Sequence, residues 1–223
     1  MSKKGVVIDY DFTVAGGAEL LFTTAGKFLK KLDGIGFDSA VEAKYFAGNP
    51  YQAGLAALFA MVKTKKTPQK AARDLPAAFK TALNEAVPAA IGAAFKNFVN
   101  AVTDKGVAVV ISTRANVNAV KPAFDQAFGE RVVLHEELSD CYGAMRWDSW
   151  RRACITGKLR HTSTLAVTGA GAGVKSALVA GMGSMAVVNE RVAYQDFGGA
   201  SAVVDQLSGK TARKALQILR IPV

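Results

Sequence analysis

Asp9 and Asp11 are the residues of this chain best placed to do chemistry. They close the apolar run Val6-Val7-Ile8 with a single tyrosine between them, and two carboxylates held that close raise one another's tendency to keep a proton. Such a pair suits a division of labour between an ionised and a protonated acid, although an isolated Asp-x-Asp can equally solvate a strand end or cap a turn. A second strand-like run, Val107 to Ile111, ends in Ser112, whose hydroxyl could bind an oxyanion or satisfy a turn. A third, Thr164 to Val167, leads into Thr168-Gly169-Ala170-Gly171-Ala172-Gly173-Val174-Lys175, a glycine-rich turn opening a helix, where backbone N–H groups could face an anion. The glycine spacing is not that of a dinucleotide fingerprint. His135 and His161 stand outside any ligand spacing and read as structural, and Cys141 and Cys154 form neither a metal motif nor a disulfide framework.

To hold these residues together the chain needs a parallel sheet. Short β-branched runs recur at Gly5 to Asp9, Val107 to Ser112, Arg131 to Leu134, Thr164 to Thr168, Met185 to Val188 and Ala202 to Val204. Helical patterns alternate with them at Ala115 to Phe128, Trp147 to Thr156, Val174 to Ala180, Asp196 to Gly199 and Thr211 to Leu219, which implies an α/β fold with helices on both sheet faces. Trp147 and Trp150 are expected to pack against that sheet. One segment breaks the alternation: 16–100 is rich in Ala, Leu, Phe and Lys at helical spacing, and reads as a helical insert after the first strand. The expected organisation is therefore a core of 1–15 and 101–223 with an insert of 16–100, and linkers near 15–17 and 100–105 as candidate hinges.

With 223 residues, half of them hydrophobic, the chain is long enough for a good core and a modest second domain. Its longest apolar run, Ala53 to Val62, is far short of the roughly 20 residues a membrane span needs, and no signal peptide is visible, so a cytoplasmic location is expected. A net charge of +10 suggests affinity for anions. The densest basic stretch, Lys63 to Arg73, has no interleaved aromatic residues to stack on bases, so nucleic acid is an unlikely partner, and oligomeric state is not readable.

The run Asp9-Tyr10-Asp11-Phe12-Thr13-Val14 resembles the first signature of the haloacid dehalogenase (HAD)-like hydrolase superfamily, Asp-x-Asp-x-Thr-Val after a hydrophobic strand. Val107 to Ser112 resembles the second signature, and Arg114-Ala115-Asn116-Val117 begins a helix as in that family. Phe46-Ala47-Gly48-Asn49-Pro50-Tyr51-Gln52 lies at a familiar turn of its helical C1-type cap. Ala177 to Met182 and Gly199 to Val204 resemble the last helix and strand of its core. Together these matches span nearly the whole chain and imply a three-layer Rossmannoid α/β core with a helical cap inserted after the first strand.

The resemblance also implies chemistry. Asp9 would attack phosphorus to form an aspartyl-phosphate, and Asp11 would protonate the leaving oxygen and then activate water. Ser112 would hold a phosphoryl oxygen, with Thr113, Arg114 and Gly169 lining the substrate, and Asp9 and Asp11 would help bind Mg²⁺. In place of the family's usual lysine, Arg146 is the expected cation, with Lys158 as a weaker candidate. The fourth signature departs from the family, since no acid stands in the Thr168 to Gly173 loop. Glu190 or Asp196 would have to replace those acids, and restoring one as Gly169→Asp is expected to create metal binding. The resemblance thus implies a phosphatase acting on a small phosphorylated metabolite. A catalytically impaired member binding a phosphorylated ligand or a protein partner stands as the alternative, and metal-independent dehalogenation as a minor one.

Overall fold

A computed structural model describes residues 3–138 and 140–222. Along the chain the elements are β1 (Gly5–Asp9), α1 (Tyr10–Thr13), α2 (Gly17–Asp33), α3 (Ser39–Val41) continued by a π turn Glu42–Phe46, α4 (Tyr51–Val62), α5 (Pro68–Ala89) and α6 (Ala93–Thr103). There follow β2 (Ala108–Thr113), α7 (Val117–Phe128), β3 (Val132–Glu136), α8 (Trp147–Thr156), β4 (Thr164–Thr168), α9 (Gly171–Val179), β5 (Gly183–Val187), β6 (Ala202–Val204) and α10 (Gly209–Ile218).

The β-branched runs become one six-stranded sheet in the order β3-β2-β1-β4-β5-β6, every neighbour parallel. Side chains alternate across it. Val6 and Ile8 face one layer, built with Phe124 of α7 and Val102 of α6. Val7 and Val110 face the other, built with Trp150 of α8 and Ala177 of α9. Phe124 and Trp150 are fully buried, and truncating either to alanine would cost about 3–5 kcal/mol. Because β1 lies between β2 and β4, the chain crosses to opposite sides of it, and the carboxyl end of β1 opens into the crevice where ligands of such sheets gather.

Three expectations need correction. Helix α6, placed by the sequence inside the insert, packs on α10 and β2, so the chain returns to the sheet layer at 90–92, ahead of the expected linker 100–105. Asp196 to Gly199 is a turn, not a helix, in which the Asp196 carboxylate accepts from the Gly198 N–H at 2.8 Å. Trp147 does not pack against the sheet; it is 44% exposed beneath the Arg151 guanidinium.

The insert is held over the sheet on two sides. Along α5, the Asn84 side-chain Oδ1 accepts from the Asn116 N–H at 2.8 Å, Lys80 pairs with Glu136, and the Tyr10 hydroxyl donates to the Val87 carbonyl at 3.3 Å. On the other side a backbone strap joins the turn before α4 to the 140–142 loop. Gly48 N–H donates to the Tyr142 carbonyl at 3.0 Å, Tyr142 N–H to Asn49 at 2.8 Å, and Tyr51 N–H to Asp140 at 2.8 Å. Beside the strap, buried Glu42 accepts from the Tyr142 hydroxyl at 2.8 Å and from Arg191 at 2.7 Å, while the Arg191 guanidinium lies 3.4 Å from the Phe22 ring centroid. Burial raises the Glu42 carboxyl above its usual range, and these two donors work against that rise.

Candidate active site

Asp9 ends β1 in parallel register with Ser112 of β2. The chain then turns directly into α1, where the Thr13 hydroxyl donates to the Asp9 carbonyl at 2.8 Å and brings Asp11 back over the strand end. Asp9, Asp11, Ser112 and Thr113 are all fully buried.

The group that joins them is Arg114. Its Nη1 donates to Asp9 Oδ1 at 2.9 Å and to Asp11 Oδ2 at 3.3 Å, and its backbone N–H donates to Asp11 Oδ2 at 2.7 Å. Thr113 Oγ1 donates to Asp11 Oδ1 at 2.6 Å, and the Phe12 ring covers the guanidinium with its centroid 4.8 Å away. Burial, moderated by Arg114 and reinforced by Asp11, pushes the Asp9 carboxyl up to about 7. Burial also raises Asp11, against the pull of Arg114 and Thr113. Burial opposes the charge on Arg114, but Asp9 and Asp11 more than offset it and hold the guanidinium firmly protonated. Burial thus favours the protonated form of both acids, beside a fixed positive charge.

Not every hydrogen-bonding group here is satisfied. Asp9 Oδ2, Ser112 Oγ, and Arg114 Nε and Nη2 are buried without a partner among the described residues, which in a folded protein calls for a polar ligand or ordered water. Arg114 also lines a cavity of about 200 Å³, with Tyr51, Phe79 and Lys80 from the insert and Glu137 and Leu138 from the loop after β3.

Other expected residues lie elsewhere. The Arg146 side chain is 45% exposed and pairs with Asp140 and Asp148, each at 3.4 Å, so Arg114 takes the position expected of it. Sequence reasoning placed Arg114 at the substrate through the start of its helix; nothing in residue order signals that its side chain folds back on both aspartates. Lys158 is at the opposite end of the sheet, where its neighbour Leu159 packs over Gly5 at the start of β1.

Across β1, Gly169 and Gly171 lie in a closely packed loop. A Cβ on Gly169 would fall inside the carbonyl oxygen of Phe12, and one on Gly171 inside that of Asp196. Two of the loop's N–H groups are also engaged, Gly171 donating to Gln195 Oε1 at 2.8 Å and Ala170 to Thr168 Oγ1 at 3.3 Å. A restored acid at 169 does not fit this packing. Asp196 is exposed and paired with Lys175 at 3.1 Å, and Glu190 is exposed.

Magnesium requires about six hard oxygen ligands in near-octahedral array. Here both Asp11 carboxylate oxygens accept hydrogen bonds, one Asp9 oxygen is held by Arg114, and the neutral loop supplies no carboxylate. Among the described residues no group of three His, Cys, Asp or Glu side chains is gathered that could hold a metal ion. The donor set does not fit Mg²⁺.

No family model and no curated protein matches the sequence. Solved structures do match the fold. The chain is similar to β-phosphoglucomutase from Clostridium difficile, with 13% identity, 97% of this chain and 96% of that chain covered, and a TM-score of 0.70. It is also similar to a HAD hydrolase, family IA, variant 3, from Entamoeba histolytica, with 13% identity, coverage of 97% and 99%, and a TM-score of 0.68. A third is CbbY from Rhodobacter sphaeroides, solved in complex with phosphate, with 15% identity, coverage of 95% and 96%, and a TM-score of 0.62. The six-stranded parallel core and the helical insert after its first strand give this chain the haloacid dehalogenase-like fold.

Proposed function

We propose that the chain binds a small oxyanion of the phosphate-ester class beside Asp9, against Ser112 and Arg114, without magnesium-assisted turnover. The reading is carried by four buried, unpartnered polar atoms, Asp9 Oδ2, Arg114 Nε and Arg114 Nη2 from one ion pair and Ser112 Oγ from the residue in register with Asp9. Two of them are guanidinium donors, and a phosphoryl or carboxylate group accepts from both edges of such a fork. Burial raises both aspartates and so disfavours two full negative charges there, which eases the approach of an anion to Arg114. The 200 Å³ cavity beside Arg114 offers room for the rest of a small ligand, with Lys80, paired to Glu136, on its wall.

The test is a thermal-shift and calorimetric titration with inorganic phosphate and glycerol phosphate. Concentration-dependent stabilisation that Ser112→Ala weakens is expected; absence of any response to either compound overturns the reading.

A second reading, hydrolysis through an aspartyl-phosphate, is favoured by the division of protonation in the pair. With Asp9 raised to about 7, its carboxylate is available near neutrality, and the raised Asp11 can hold a proton. Asp9 Oδ2 would form a bond to phosphorus as the ester P–O bond breaks, Asp11 would give its proton to the leaving alcohol, and water would then release phosphate and free Asp9. Release of phosphate from esters in the presence of a chelator, abolished by Asp9→Asn, would establish this reading over the first.

A further inference from the structure

We propose that Arg114 is the resident cation of the site, balancing Asp9 and Asp11 where the fold otherwise calls for a divalent metal ion, so that the chain does not bind Mg²⁺ or Mn²⁺ there. The inference is independent of which anion the cavity takes. One guanidinium nitrogen reaches both carboxylates, at 2.9 and 3.3 Å, and the same residue's backbone N–H takes Asp11 at 2.7 Å. Arg114 is thus tied to the pair by side chain and main chain together, with only 7% of its surface exposed.

A metal ion approaching this pair meets Arg114 first and crowded backbone beyond it. The guanidinium repels it at the point where both carboxylates converge, and the Phe12 ring blocks the guanidinium from swinging away on that face. The Asp11 carbonyl is covered by Gly17, packed so closely that a Cβ there would lie 2.5 Å from the oxygen. Beyond β1, Gly169 packs against Phe12 with no room for any side chain, so that loop cannot contribute a carboxylate without moving its backbone. An arginine is suited to this substitution because it stays charged at every accessible pH and is less strongly hydrated than an ammonium, so it tolerates burial between acids.

The experiment uses the full chain and Mn²⁺ as probe. Electron paramagnetic resonance reads the free Mn²⁺ signal, and thermal unfolding is followed with and without Mg²⁺ or Mn²⁺. Wild type is expected to leave the Mn²⁺ signal undiminished and to show no metal-dependent shift in Tm. Mn²⁺ uptake by wild type that Asp9→Asn abolishes overturns the proposal. Arg114→Ala removes the cation and is expected to take up Mn²⁺ or, if its fold is weakened, to regain Tm on adding Mn²⁺ but not on adding an equal ionic strength of sodium chloride. An Arg114→Ala protein that folds and still ignores Mn²⁺ assigns the exclusion to the glycine loop alone and overturns the role given to Arg114. Arg114→Lys, which keeps a positive charge, is expected to behave as wild type; Mn²⁺ uptake by this variant also counts against the proposal.

Discussion

The two flanks of Asp9 have been built by opposite means. On the β2 side the chain keeps charge and pairs it: Thr113 and Arg114 donate to the aspartates. On the β4 side it has no charge at all, and Gly169 and Gly171 let two backbone segments close to contact. A buried carboxylate pair can thus be stabilised from one side only, provided that side brings its own cation and the other leaves no space for solvent. Charge on the first flank and the missing side chains on the second are complementary parts of one solution.

The comparison is broken most severely by removing the cation. Arg114→Ala leaves two carboxylates buried without their cation and is expected to cost about 3–5 kcal/mol, read as a fall in the urea midpoint. Combining Arg114→Met with Asp9→Asn and Asp11→Asn should recover most of that loss, because no charge is left to desolvate. The opposite flank is tested by Gly169→Asp, which forces a side chain against the Phe12 carbonyl and is expected to cost about 3 kcal/mol without creating a metal site. Acidity sharpens the contrast further. Asp9 is raised to about 7 when folded, so the native chain holds a proton that the unfolded chain releases above roughly pH 4. The Asp9 contribution is therefore complete below pH ~4 and lost as pH rises through ~7, and the stability of wild type relative to Asp9→Asn should fall by about 4 kcal/mol across that window. The smallest effect belongs to Arg146→Ala, a surface change outside both flanks, which should leave the urea midpoint and the phosphate response unaltered.

The sheet was readable from residue order because its central strands β1, β2 and β4 are apolar runs buried over most of their length; β1, β4 and β6 take the expected limits, as does α8. Helix α6 was not, since its apolar spacing is the same whether it packs on an insert or on a sheet. Within the site, Asp9, Asp11 and Ser112 follow from strand ends and so from local pattern. Arg114 does not, because a long side chain can reach in any direction and only the tertiary fold decides which. Arg146 illustrates the converse: its distance along the chain suited a role at the aspartates, but Asp140 and Asp148, both close in sequence, draw it outward. The close packing at Gly169 is likewise a property of two segments meeting, and residue order shows only that a glycine is there.

The strap of Gly48, Asn49 and Tyr51 against Asp140 and Tyr142 gives detachment of the insert a kinetic signature. Three amide protons, those of Gly48, Tyr51 and Tyr142, are protected by bonds that span the two layers and by nothing local. In deuterated solvent they would exchange at one common rate set by that opening, while the amides inside α4 and β2 report slower, global events.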